Sequence, residues 1–330
     1  MKSIKKQEIM QVIIWGMILI AVAGLALMLG SVRMGIRQVI TGLFQGGNTV
    51  EAIIMRQIRL PRMLAGMLAG AGLALSGTLL QRVTDNGMAS PNIIGVNAGA
   101  GFVMILMLYL MPTVALWRPL GAFLGAFGAT MLIIWTASKI GSSRATIILA
   151  GMVFTTLLNA GISFVSLLDS DVLAMYNHFS VGSLAGIKTE ELLIPAVIIG
   201  VAVIISLIMA SGIRILCLGD DMAASLGVHV KRLRFLCLVC ASAAAAGVVS
   251  FAGLLGFVGL IVPHIARRLA KGSMKQEIIC ALLMGGSLVI LADTLGRVVL
   301  APTEIPVGIV MALIGAPFFL AILLRRGDHA

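Results

Sequence analysis

The chain of 330 residues is 60% apolar and only 11% charged, with a mean hydropathy of +1.10. No soluble domain of this length holds such a balance in water, so the chain is read as an integral membrane protein. Its net charge of +11 suggests nucleic acid until the positions are inspected. The basic residues stand at the ends of apolar runs without interleaved aromatics, which excludes a phosphate-binding stripe and fits membrane orientation.

The apolar runs are continuous rather than alternating, so the predicted fold is all-α and polytopic, not a barrel. A span takes about 20 apolar residues at about 1.5 Å each. Residues 1–6 are basic and precede the first run, 9–29, which places the amino terminus in the cytoplasm. Ala21-Val22-Ala23 imitates a signal-peptidase site, but the apolar run continues past it and the helix is read as retained. Further spans are expected at 60–80, 93–111, 120–137, 146–168, 192–210, 233–251, 255–266, 278–295 and 306–324. These make about ten transmembrane helices in a single domain, 1–330, and an even number returns Arg325 and Arg326 to the cytoplasm.

This topology puts sixteen of the 24 basic residues inside. Outside fall Arg33, Arg37, Arg56, Arg59, Arg62, Arg118, Lys188 and Arg297. Five of those eight lie between the first two spans, where orientation alone disfavours them, so an acidic partner surface outside is the expected use.

Small residues recur at Gly66, Gly70 and Gly72 and at Gly121, Gly125 and Gly128, faces that let membrane helices approach closely. The segment 81–100 carries Asn86-Gly87 and Pro91, which break the helix, and is read as a gate or pathway loop. A second polar interruption, 168–186, contains Asp169, Asp171, Asn177 and His178 and is expected to re-enter as a short helix. His178 has no second ligand at metal spacing and reads as an ordinary outer histidine.

The longest polar break of the second half is 211–235. Asp220 or Asp221 is expected to cap a short helix over 222–226, with Gly227 as its stop. A basic segment with His229, Lys231, Arg232 and Arg234 follows. A capped, charged knob between two spans suggests a docking surface. Beyond it, Pro263 should kink a very short span and free backbone carbonyls, and His264 reads as an interfacial hydrogen-bonding residue. Cys217, Cys237, Cys240 and Cys280 lie in or beside apolar segments. The Cys237-x-x-Cys240 pair lacks a second ligand pair and reads as packing. Arg59-Leu60 and Arg232-Leu233 each open a small-residue helix that reaches a glycine and a proline, Gly87 and Pro91 or Gly256 and Pro263. Starting from opposite sides, they form a faint inverted repeat, a construction found in transporters.

Several blocks in order now carry a resemblance. They are Arg59-Leu-Pro-Arg62, Ala-Gly-Ala-Gly-Leu-Ala-Leu-Ser76-Gly77 with Gln81, and the loop from Asn86 to Gly95. They continue through Leu-Gly219-Asp220-Asp221-Met-Ala-Ala224-Ser-Leu226-Gly227-Val228, Gly256-Phe-Val-Gly-Leu-Ile-Val-Pro263-His264, Asp293 with Arg297, and Ile305-Pro-Val-Gly308 with Gly315-Ala-Pro317-Phe318. The chain resembles the permease family of ABC importers for iron-siderophore complexes, haem and cobalamin from about residue 50 to 324.

That resemblance implies a subunit of the cytoplasmic membrane with both termini cytoplasmic, paired with itself or a close homologue around a central path. It implies two cytoplasmic ATPase subunits seated on the segment 218–234, with Gly219, Asp220, Asp221, Ala224, Leu226, Gly227, Val228 and Arg232 as docking residues. It also implies an extracytoplasmic solute-binding protein received by Arg59, Arg62 and Arg297. Asn86 and Met88 match an inner gate loop, and Ser170 and Asp171 a second gate position. The chain departs from the family in having Asn86-Gly87-Met88 where Asn-Pro-Leu is usual, and in placing an acidic residue at 171. No G-x-x-x-x-G-K-[ST] loop occurs, so ATP and magnesium are expected on the partner ATPase. No catalytic residue, metal or cofactor is expected on this chain. An ion-coupled secondary transporter is the alternative, but it would place ionisable groups deep in the membrane, whereas the acidic residues here, Asp293 nearest to an exception, lie near span ends.

Overall fold

The computed structural model describes residues 2–30, 34–44, 49–113, 117–140, 144–270 and 273–327. Arg33 and Lys271 of the expected charge pattern lie outside the described residues, as do the side chains of Lys2, Lys5, Lys6, Arg144, Arg325 and Arg326. Each of the ten expected spans is a helix: α1 (Lys2–Met28), α4 (Leu60–Thr84), α5 (Val96–Leu110), α6 (Arg118–Ile140), α7 (Arg144–Leu168), α9 (Leu193–Leu216), α11 (Val230–Ala252), α12 (Val258–Leu269), α13 (Met274–Val298) and α14 (Val307–Gly327). Seven are long and apolar enough to cross a membrane, α5 and α14 are shorter apolar helices, and α12 has only 12 residues.

Between the first two spans the chain is more ordered than its polarity suggested. It forms α2 (Ile36–Phe44) and α3 (Val50–Ile53), then a π-helical stretch (Ile54–Arg59) that runs straight into α4. Thr49 starts α3, its hydroxyl accepting from the Ala52 amide at 3.3 Å, the usual way a first-turn donor is satisfied. The other short helices are α8 (Ser170–Val181), within the polar interruption 168–186, a 3-10 turn at Thr189–Leu192, and α10 (Asp220–Ser225).

Helix α4 is the axis of the bundle, packed against α9, α11, α12 and α13, while α1 lies along α13 at the periphery. Lipid supplies no hydrophobic drive between helices, so such packing depends on close backbone approach. Gly70 of α4 and Gly285 of α13 face each other so closely that a Cβ on either would collide with the other's carbonyl, and a Cβ on Gly77 would collide with the Gly259 carbonyl of α12. The second expected small face is partly used: Gly125 meets Gly99 of α5 and Gly121 meets Met107, but Gly128 has nothing within 4 Å.

The faint sequence echo has a structural counterpart. The pairs α5–α6, α5–α7 and α6–α7 recur as α12–α13, α12–α14 and α13–α14, and α4 packs on α13 and α12 as α11 packs on α6 and α5. Helices α4 to α7 therefore map onto α11 to α14, with α4 and α11 packed on each other at the centre. Arg62 and Arg82, twenty residues apart on α4, are separated by about 30 Å at 1.5 Å per residue, close to the hydrocarbon thickness. Their surroundings define the two ends of the molecule.

Candidate functional site

At the Arg82 end, the guanidinium forms a two-point ion pair with Glu277 at the start of α13, Nε donating to Oε1 at 2.9 Å and Nη2 to Oε2. Nη1 also reaches the Cys217 sulfur at 3.9 Å. Cys217 caps α9, so one arginine joins the ends of α4, α9 and α13 just beneath the knob.

The knob itself differs in one detail from expectation. Neither Asp220 nor Asp221 caps the helix. Gly219 is the N-cap, at φ +106, and α10 begins at Asp220. The Asp220 carboxylate instead takes both of its oxygens to Arg234 Nη2 of α11, at 2.8 and 2.9 Å. A cross-helix charge-assisted pair won over the local cap, because Arg234 is otherwise a buried cation. The expected stop is confirmed: Gly227, at φ +81, leads a Schellman ending in which its amide donates to Ala224 O and the Val228 amide to Ala223 O, each at 3.0 Å. Ala223 packs inward, while Asp221, Ala224, Leu226, Gly227 and Arg232 are exposed and Val228 is half-buried. Leu218, Met222 and Leu226 put large apolar side chains into the open, 54 to 65% exposed.

Midway along α4 two broken segments meet. Asp85 ends α4 in the left-handed region at φ 48. Asn86 then builds a tight turn, its Oδ1 accepting from the Met88 amide at 2.9 Å. On the other side Phe257, at φ +64, opens α12, a strained backbone of the kind found at functional positions. Its ring lies on Gly315 of α14, where a Cβ would collide with it. Ser90, Pro91 and Asn92 from the first break and Leu255 and Phe257 from the second, with Leu73 and Phe319, enclose a cavity of about 240 Å³. Asn86 and Met88, the expected gate residues, do not line it; Asn86 is half-buried and Met88 exposed. That volume lies below the range of about 300–1,000 Å³ typical of ligand pockets.

Pro263 has no amide to give to the Gly259 carbonyl, four residues earlier. Gln81 fills that role, its Nε2 lying 3.4 Å from Gly259 O and 3.3 Å from Leu260 O. Gln81 and Gly77, one turn apart on α4, thus both address the same carbonyl of α12.

Ser170 and Asp171 form the first turn of α8 and are exposed. Asp169 is the cap, Oδ1 accepting from the Asp171 and Val172 amides at 2.8 and 3.2 Å. His178 is exposed on the same helix. The four cysteines are free thiols, three of them buried, and among the described residues no cluster of metal-ligating side chains occurs.

The Arg62 end requires a correction. The resemblance implies that Arg59, Arg62 and Arg297 receive a binding protein, yet within this chain they are only 4 to 6% exposed. Arg62 grips Asp293 with Nε, at 3.0 and 2.9 Å, and Nη2, at 2.9 Å, and Glu304 Oε2 with Nη1 at 2.6 Å. Arg297 Nε lies 3.2 Å from the other Asp293 oxygen, and its Nη2 donates to Ala26 O at 3.2 Å. Arg59 Nη1 donates to Leu27 O and Met28 O at 2.6 and 3.0 Å, carbonyls that the end of α1 leaves without helical partners. Cations this deep are not left unpaired, so the fold supplies its own acceptors. Asp293 was legible in advance, four residues before Arg297 on one helix face. Glu304 and Glu277 were missed, since their partners are more than 190 residues away. Of the cations expected outside, Arg37, Arg56 and Lys188 are exposed among the described residues. Arg56 and Lys188 flank a cleft of about 480 Å³.

The arrangement has known relatives. Residues 18–325 match the family model described as the FecCD transport family. The chain is 34% identical over 321 residues to the Fe(3+)-citrate import system permease protein YfmE of Bacillus subtilis, covering 97% of this chain and 96% of that one. It is 33% identical to the hemin transport system permease protein HmuU of Yersinia pestis, with 95% and 96% covered. With the cobalamin import system permease protein BtuC of Halobacterium salinarum it shares 38% identity, over 84% and 75% of the two chains. A solved structure described as an inward-facing conformation of a metal-chelate type ABC transporter superposes with a TM-score of 0.86 at 29% identity, covering 95% of this chain and 98% of that one. With its helix-built spans and close glycine contacts, the chain is a multi-pass membrane protein that belongs to the FecCD transport family.

Proposed function

We propose that this chain is the permease subunit of an ATP-driven ABC importer that carries a metal chelate of the iron-siderophore, haem or cobalamin class across the cytoplasmic membrane, with both termini inside. Two copies, or one copy and a close homologue, enclose the path. Two ATPase subunits seat on α10 and its flanks, through Gly219, Asp220, Asp221, Ala224, Leu226, Gly227, Val228 and Arg232, and hold the ATP and magnesium. A solute-binding protein docks at the other end, where Arg59, Arg62 and Arg297 gather. Asn86 and Met88 at the inner side, and Ser170 and Asp171 at the outer side, serve as gate positions.

The observation that carries this reading is α10: a helix of 6 residues, clamped by Asp220–Arg234 and closed by Gly227, that leaves Met222 and Leu226 uncovered at 54 and 57% exposure. A rigid protrusion with a bare apolar face is suited to receive a partner and transmit its motion. Proteoliposomes containing the permease with a cognate ABC ATPase and solute-binding protein should accumulate ferric citrate, haem or cobalamin only when ATP is present. Sustained uphill accumulation by the permease alone would refute the reading.

A further inference from the structure

The two carboxylates on Arg62 are not equivalent. Asp293 is 3% exposed and serves two cations, Arg62 and Arg297, so its departure would strip both. Glu304 touches only Nη1 of Arg62, its side chain is 36% exposed, and it stands on the link between α13 and α14 at the water boundary. Arg62 and Arg297 share Asp293, and Glu304 completes the cluster on Arg62.

We propose that Glu304 is a stand-in. It occupies on Arg62 the seat that a carboxylate of an acidic protein takes on docking from outside, and docking exchanges one carboxylate for the other. This rests on the reading that the arginines at this end receive the solute-binding protein. The exchange keeps the number of charge-assisted bonds on Arg62 constant, so the buried guanidinium is never left unpaired. It also raises specificity, because a surface without a correctly placed carboxylate cannot displace Glu304 and meets a closed site. Asp293 holds the guanidinium plane in place throughout.

The test uses the complete transporter in lipid nanodiscs, titrated with its cognate solute-binding protein over a salt series. Glu304→Gln, which removes the competing charge but keeps the size, should tighten docking about 3- to 10-fold with a steeper salt dependence. Arg62→Gln should weaken it by about 10-fold or more. Glu304→Ala is the second variant, and thermal unfolding confirms that each is folded. Unchanged or weaker docking in both Glu304 variants, with Arg62→Gln still impaired, would overturn the exchange while leaving the docking site standing. Unaltered docking in Arg62→Gln would overturn the site itself, and the exchange with it.

Discussion

The side-chain amide of Gln81 points at the carbonyl of Gly259, 178 residues further along the chain, at 3.4 Å. It does there what a helix amide would have done had residue 263 not been proline. Gln81→Leu should leave buried carbonyls of Gly259 and Leu260 without this donor, at a cost of about 1–3 kcal/mol, measured as a lower unfolding temperature in detergent. Pro263→Ala restores a backbone amide for Gly259, so the Gln81→Leu loss should shrink in that background. Additive effects in the double-mutant cycle would argue against this link.

The glycine contacts predict a contrast between similar-looking positions. Gly70→Ala and Gly77→Ala each push a methyl group into a backbone carbonyl of another helix, which cannot rotate away, and each should cost about 1–3 kcal/mol or more. Gly128→Ala meets nothing within 4 Å and should be neutral or gain up to about 1 kcal/mol of helix propensity. Comparing the three variants by thermal unfolding checks this directly.

Arg82 and Glu277 are 14 and 3% exposed. Removing one charge, as in Arg82→Gln or Glu277→Gln, strands the other and should cost about 3–5 kcal/mol. Both neutralised together should be less damaging than the two losses summed. Folded yield and unfolding temperature of the singles and the double measure the coupling.

On α10, Met222→Asp and Leu226→Asp change exposed side chains and should leave unfolding unchanged while abolishing capture of the cognate ATPase and ATP-dependent uptake. Gly227→Ala must hold φ near +81, which costs an L-residue about 1 kcal/mol or more, and should lower both stability and coupling. Normal ATPase capture in the two aspartate variants would reject the proposed face.

The helices at the ten expected spans, their order, the short proline-containing α12, the helix within the polar interruption 168–186 and the Gly227 stop were all legible in the chain, because hydrocarbon thickness and helix-breaking residues are written locally. The full outward reach of the second span was not: it is expected over 60–80, yet 50–59 continues α4 outward as helix because its side chains find carbonyls on the neighbouring 42–43 segment and α1. Likewise nothing near Asp220 announced Arg234 as its partner in place of a cap.

The sequence by itself determined that this protein lives in a membrane, where its apolar helices lie, and where its polar breaks fall, since lipid imposes a per-residue rule that each run obeys or violates alone. Only the tertiary structure decided which charges are open and which are spent. Arg62, Asp293 and Glu304 become a closed cluster, and Gln81 a surrogate donor for Pro263, because a buried charge or carbonyl must be satisfied by whatever the fold brings within about 3 Å, and that neighbour can come from anywhere in the chain.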